Sequence, residues 1–309
     1  MHHVFAWFSR ATSKSTNIFG FLATIALLLG LSACSVAPVS ESAAVAGLPQ
    51  NQLPIRFLLT FDDGPVATKE NSPTQSILDD LADNPLQPGI KAIFFLQTRA
   101  SDAGGSALGR EFMQREYSAG HVLGLHSATA GHDNHRYLSP EVFTHSLDDG
   151  IADIRAVTGS APSLVRPPFW SYDQRTLAGY RQHGLHMLLT DLSANDGKVW
   201  GVNFSLRRRS SMLHQLAEVR EQIALGALPA VDGSIPVVVT FHDINRYTAR
   251  HMREYLQILA DSARELNMPT AAKPFYDDPA ALERAAIARS VGDASQKVHL
   301  PGLWNWIWN

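Results

Sequence analysis

The sequence predicts an α/β fold, an open or incomplete (β/α) barrel, and three observations carry that prediction. Short apolar runs alternate with amphipathic stretches of helical spacing from residue 55 onward. Helix starts are marked by a cap residue followed by proline. Ionisable residues gather at the C-terminal ends of the apolar runs, the face on which parallel barrels place their sites.

The first strand is Ile55–Phe61, an apolar run that stops at two adjacent carboxylates, Asp62 and Asp63. Ser72-Pro73-Thr74-Gln75 then supplies an N-cap, a proline at the first helical position and a capping-box glutamine. Ala92–Leu96 and His121–His126 are the second and third strands. Ser139-Pro140-Glu141 repeats the cap-then-proline device, and Phe143, Leu147, Ile151 and Ile154 follow at helical spacing. Ser163–Arg166, His186–Leu192 and Pro236–His242 are the remaining clear strands, and Pro269–Phe275 is a candidate seventh. Helices are expected over Ser205–Ala227 and Thr248–Leu266. Polar residues close almost every strand: Asp62 and Asp63, then His126, Arg166, Asp191 with Asp196, and His242 with Asp243.

The chain begins with Arg10 and Lys14 and an apolar run from Ile18 to Leu31, too short for a comfortable membrane span and suited to an export signal. Leu31-Ser32-Ala33-Cys34 resembles a bacterial lipobox. That resemblance implies a signal peptide over residues 1–33, a lipidated Cys34 and a tether over 34–52. It also implies attachment to a membrane through the lipid anchor, in the cell envelope facing the periplasm or exterior. Cys34 is the sole cysteine, so no internal disulfide framework exists. A net charge of −3, with Arg207-Arg208-Arg209 read as a solvated helix face, argues against a nucleic-acid partner.

Carboxylates, imidazoles and one arginine are the chemistry on offer at the strand ends. The sequence has no GxSxG serine elbow, no catalytic cysteine and no Gly-rich phosphate loop, which favours acid–base or metal-assisted hydrolysis. Asp63 with two histidines from the stretch 126–135 makes a carboxylate-plus-two-imidazole set of the kind that holds catalytic zinc. Such an ion would let two neighbouring aspartates both ionise, which they otherwise oppose in one another. Asp62 is then free as general base on a metal-bound water. A protonated His242 suits the general acid, and a backbone N–H at a tight turn suits a developing oxyanion.

Thr60-Phe61-Asp62-Asp63-Gly64-Pro65, Arg166-Pro167-Pro168-Phe169 and His242-Asp243, in that order, resemble the motifs of NodB-type polysaccharide deacetylases, carbohydrate esterase family 4. The resemblance covers residues 53–268 and implies a distorted (β/α) barrel and a divalent metal, usually zinc. The reaction it implies is removal of N-acetyl, in some members O-acetyl, groups from a polysaccharide or oligosaccharide. Motif by motif it implies Asp62 as catalytic base, Asp63 as metal ligand, Arg166 as the group that positions the base, and His242 as catalytic acid. Phe169, beside Pro168, takes the aromatic position whose backbone N–H serves as oxyanion donor.

The chain also departs from the pattern. The family's His-Ser/Thr-x-x-His motif begins at His126-Ser127, but Ala130 stands where the second histidine belongs. Counting back from Ser139-Pro140-Glu141 assigns the second ligand to His132 through a two-residue insertion, with His135 the alternative. Asp196 matches the aspartate that tunes the catalytic histidine, whereas Gly197 replaces the following tryptophan, for which Trp200 is a candidate substitute. Thr240-Phe241-His242 replaces Leu-x-His. These two changes bear on the acyl pocket and leave room for a deacylase of a lipid-linked or small amino sugar, or a glycan-binding relative. Residues 269–309 are expected to extend and pack on the barrel, ending in the tryptophan-rich run Leu303–Asn309.

Overall fold

The computed structural model describes residue 49 and residues 52–196 and 208–293. β1 (Ile55–Asp62) is the central strand, and every pairing between the described strands is parallel. It pairs with β7 (Ile235–His242) along its whole length and with β2 (Ile93–Gln97) from Thr60 to Asp62. Its first residues pair with β8 (Thr270–Phe275), Ile55 facing Thr270 and Phe57 facing Phe275. β3 (Val122–Ser127), β4 (Leu164–Val165) and β5 (His186–Met187) continue the sheet beyond β2, and β6 (Leu192–Ser193) lies outside β7.

Both edges of that sheet come from one stretch of chain. The Leu188 N–H donates to Val165 on β4, and the Asp191 N–H donates to Val238 on β7. The sheet therefore curls until residues 186–193 bridge its edges, which makes a distorted (β/α) barrel. The single strand expected over His186–Leu192 is corrected to two short ladders. A straight strand cannot pair with β4 and β7 at once, so the segment crosses between them.

Period-2 alternation sorts the strand residues into two faces. On β1, Phe57, Leu59 and Phe61 join the large core under the helices, where Phe61 stacks between Phe94 and Phe241 at centroid distances of 5.0 and 5.6 Å. Leu58 belongs instead to an inner cluster with Phe95, Leu164, Leu188 and Val238. Thr60 and Asp62 continue that inner face toward the strand ends. This phasing is what delivers Asp62 into the barrel mouth.

Helices follow the expected signals. α1 (Pro73–Ala82), α2 (Ala107–Ser118), α3 (Pro140–Thr158), α4 (Gln174–Gln182) and α5 (Arg208–Ala224) alternate with the strands. Ser72 Oγ accepts from the Gln75 N–H and Ser139 Oγ from the Val142 N–H, caps worth about 1 kcal/mol each. Gln75 does not complete a capping box, because its amide donates to Asp79 Oδ1 at 2.9 Å. The helix expected over Thr248–Leu266 is two, α6 (Arg246–Arg250) and α7 (Met252–Glu265), divided at His251 (φ −119°, ψ 15°). α8 (Pro279–Ala288) sends Leu282, Ala285 and Ala286 into the inner cluster. Residues 270–288, set apart in the sequence as an extension, thus supply a strand to the sheet and a helix to the barrel interior. Residues 1–33, Cys34, Trp200 and the tail 303–309 lie outside the described residues. Among the described residues no helix is long and apolar enough to cross a membrane.

Candidate active site and metal centre

The ends of β1, β3, β4 and β7 converge on one buried-to-half-buried cluster. Asp62 is the last residue of β1 and faces His242 across the register with β7. The next residue, Asp63, takes φ +73°, a left-handed conformation that is uncommon outside glycine. That turn sends the two neighbouring carboxylates to different partners. Asp63 Oδ1 sits 3.1 Å from His126 Nε2 and 3.4 Å from His132 Nε2.

Arg166 fixes Asp62. Its side chain is fully buried, with Nη1 2.9 Å from Asp62 Oδ1 and also donating to the hydroxyls of Thr60 and Thr240. Nε and Nη2 donate to the carbonyls of Leu188 and Leu189. The guanidinium lies 4.4 Å from the Phe95 ring centroid and 5.0 Å from that of Trp170. Burial favours loss of its charge and the Asp62 carboxylate opposes that, so each ion depends on the other.

Asp63, His126 and His132 offer three ligand atoms that all lie within 4.8 Å of one another. His126 Nδ1 lies 2.9 Å from the Arg166 carbonyl, which turns the ring so that Nε2 faces Asp63. His132 Nε2 is buried without a hydrogen-bond partner, an atom left open for a ligand. Its pKa is pushed down to about 4, first by burial and then by the neighbouring His126, so it is an uncharged donor at neutral pH. Burial alone would raise the pKa of Asp63. The His126 hydrogen bond and the charge on His242 outweigh burial and hold it well below the ordinary carboxylate range. One carboxylate with two imidazoles fits a divalent cation of the zinc class.

His132 reaches Asp63 because the loop after β3 is folded on itself. Ser127 and Thr129 hydroxyls are 3.0 Å apart, Thr129 Oγ1 accepts from the Asp133 N–H, and His132 takes φ +53°. Its ring stacks on Phe169 at 4.8 Å. His135, the alternative ligand, is turned away: fully buried, with Nδ1 2.8 Å from the Tyr180 hydroxyl.

On the other side of Asp63, His242 Nε2 is 3.9 Å from Asp63 Oδ2 and its Nδ1 is 2.8 Å from Asp196 Oδ1. Burial lowers the pKa of His242, but the charge and hydrogen bond of Asp196, reinforced by Asp63 and Asp62, carry it up to about 10. Asp196 is itself held by the His242 N–H at 3.0 Å and the Thr248 hydroxyl at 2.5 Å. Phe169 follows Pro168 in a single 3₁₀ turn after β4, at φ +60°, with its ring half exposed beside His132.

Residues 51–188 match the sequence profile of the family described as Polysaccharide deacetylase. Over those residues the chain is similar to polysaccharide deacetylases. A "Chitin deacetylase" of Pestalotiopsis sp is 27% identical over 231 residues, 69% of this chain and 73% of that protein. The "Peptidoglycan-N-acetylglucosamine deacetylase PgdA" of Listeria monocytogenes is 25% identical over 229 residues, 73% of this chain but only 40% of that longer protein. Among solved structures, the chitin deacetylase of the fungal pathogen Colletotrichum lindemuthianum matches at 21% identity with a TM-score of 0.49, covering 74% of this chain and 92% of that one.

The cluster also involves residues outside those motifs. Thr60 and Thr240 are register partners that hold Arg166, and Gln97 Nε2 lies 3.2 Å from the Asp63 carbonyl. A signal existed: β1 and β7 both end Thr-Phe-acid/base-Asp, with the threonine on the inward phase. Asp191, grouped with the site in the sequence, accepts from the Val238 N–H and pairs with Arg289, the C-cap of α8. The remaining histidines of note are elsewhere: His121 accepts from the Ala92 N–H in the core, and His186 is exposed.

Proposed function

We propose that the domain is a metal-dependent hydrolase that removes acetyl groups from amino sugars of a cell-envelope or extracellular polysaccharide. The observation that carries this reading is the flanking of one donor set by two differently tuned groups. Asp63, His126 and His132 would hold a divalent ion, zinc by donor type, with Asp62–Arg166 on one side and Asp196–His242 on the other. When bound, such an ion supplies a Lewis acid that lowers the pKa of water and polarises the acetyl carbonyl.

The chain's own groups divide the proton work. Asp62, kept in place by Arg166, accepts the proton of the attacking water. His242, held protonated by Asp196, donates from Nε2 to the leaving amine nitrogen. The Phe169 N–H, in the tight turn after Pro168, suits the developing oxyanion. Chitin and peptidoglycan are named for the relatives, which supports N-acetylglucosamine polymers as the substrate class here. The lipobox-like Leu31–Cys34 supports a lipid-anchored protein facing the periplasm or exterior.

The test is acetate release from N-acetylated chitooligosaccharides, peptidoglycan and O-acetylated xylan, with bound metal quantified alongside. Stoichiometric metal, and activity lost on chelation and recovered with zinc, are the expected results. Metal-independent release, or no release from any of the three, overturns the reading.

A further inference from the structure

A second recognition element lies beside the catalytic cluster, and its argument rests on the glycan-hydrolase reading above. Between the first turn of α1 and the short helix α6 is an open cavity of about 230 Å³, lined by Asn71, Pro73, Ser76, Arg246, Ala249 and Arg250. Its two walls begin at the active site. α6 starts directly after His242-Asp243-Ile244-Asn245, and Asn245 both caps it and donates to the Asp196 carbonyl. α1 follows the loop that leaves Asp63, and its Thr74 hydroxyl donates to Asp243 Oδ2 at 2.7 Å. That bond ties the two walls together.

The charges in this cavity are unbalanced. Arg208, Arg209 and Arg253, on the helices flanking α6, each hold a carboxylate within 2.7 Å. Arg246 and Arg250, exposed into the cavity, hold none among the described residues. Residues 197–207 contain no Asp or Glu that could serve them. Like charges at i and i+4 on a helix repel. The first turn of α1 adds the partial positive charge of a helix start on the facing wall. Two planar forks of donors and a helix start, converging on a small cavity at the rim of a glycan site, match a planar anion that can be gripped through two oxygens.

We propose that the Arg246–Arg250 cavity is a subsite for a carboxylate carried by a sugar next to the one being deacetylated. The domain thereby selects acidic glycans over neutral chitin-like chains. A carboxylate can come from a lactyl ether on a hexosamine or from a uronic acid, and the test separates them.

The experiment uses the metal-loaded full-length chain and calorimetric binding of four tetrasaccharides. These are alternating N-acetylglucosamine and N-acetylmuramic acid, its methyl ester, alternating N-acetylglucosamine and glucuronic acid, and neutral chitotetraose. At least one acid is expected to bind about 10-fold or more tightly than the neutral chains, the preferred acid naming the source. The preference is expected to shrink as salt rises and to vanish in Arg246→Gln/Arg250→Gln, while chitotetraose affinity changes less than about two-fold. Single Arg→Lys variants, which keep charge but lose the fork, should retain only part of it. Equal affinity for acids and neutral chains in the wild type, or a preference that survives the double variant, overturns the proposal. Acetate release from N-acetylated chitooligosaccharides, peptidoglycan and O-acetylated xylan reports separately on the hydrolase reading. No release with the acid preference intact sinks that reading and leaves the subsite, whereas release without the preference sinks the subsite alone.

Discussion

β1 and β7 lie side by side, and their last three residues with the one that follows are nearly the same, Thr60-Phe61-Asp62-Asp63 and Thr240-Phe241-His242-Asp243. The first two positions of each do the same work. Both threonine hydroxyls take a bond from Arg166, and both phenylalanines stack in the core under the helices. The last position diverges. Asp63 turns through φ +73° into a ring of imidazoles, and its carboxyl is held well below the ordinary range. Asp243 is fully buried under Gly64, where a Cβ would collide with its carboxylate, and burial pushes its pKa up to about 7. One residue type at one place in a repeated pattern becomes a candidate ligand or a buried acid according to what converges on it.

The sharpest way to break this comparison is to neutralise each aspartate in turn. Asp63→Asn is expected to lower acetate release by on the order of 10³-fold, because a carbonyl oxygen replaces the anionic donor of the metal set. Asp243→Asn is expected to keep its metal, since Asp243 contacts Thr74 and Gly64 rather than the donor atoms. Metal analysis of the two purified variants decides the point. Equal metal loss in both would mean the two aspartates are not distinguished in the way described.

Arg166 tests the half of the pattern that the two strands share. Arg166→Met leaves Asp62 buried and unpaired, and is expected to cost about 3–5 kcal/mol in urea unfolding. Adding Asp62→Leu should restore much of that stability without restoring activity. A single variant as stable as wild type would show that the buried pair is not what holds the two strand ends.

His242 and Asp62 face each other in register, and Asp196 is the chief group that raises the pKa of His242. A general acid acts only while protonated, so under the proposed roles the alkaline limb of activity is expected to follow the pKa of His242, raised to about 10. Asp196→Asn removes the charge that raises it. The limb should then move to lower pH and neutral-pH turnover fall by about 10²-fold. A pH–rate profile of the two proteins checks this, and an unmoved limb would take the proton-donor role away from His242.

How much of this was legible beforehand follows from range. Residues consecutive in a strand announce themselves, so the convergence of Asp62, Asp63, Arg166 and His242 at the strand ends was legible from motif and phase. His132 could be placed only by counting, because Ala130 breaks the spacing and what returns the ring is a loop fold set by Ser127 and Thr129. The roles of Thr60, Thr240 and Thr248 were hidden for a different reason. Each matters only through a partner far along the chain, Arg166 or Asp196, and a threonine carries no charge to draw attention. The crossing at residues 186–193 was hidden too, since an apolar run does not say which edge it will pair with.

A further expected effect concerns stability, and its sign comes from linkage. Asp243 has an ordinary value of 3.8 and is raised to about 7 in the folded protein, chiefly by burial and by repulsion from Asp63. Between about pH 4 and pH 7 the native state therefore keeps a proton that the unfolded chain releases. Stability from this group is fully present below pH 4 and falls by up to ~1.4 kcal/mol per pH unit through that window. Asp243→Asn removes the titration, and the amide oxygen can still accept from the Thr74 hydroxyl. The variant should match wild type near pH 4 and exceed it by up to about 4 kcal/mol at pH 8, read from urea unfolding at the two pH values. Asp63→Asn should show no such gain at alkaline pH, because its carboxyl is shifted in the opposite direction. If both variants gained equally as pH rose, the two strand ends would share one electrostatic environment and the contrast between them would fail.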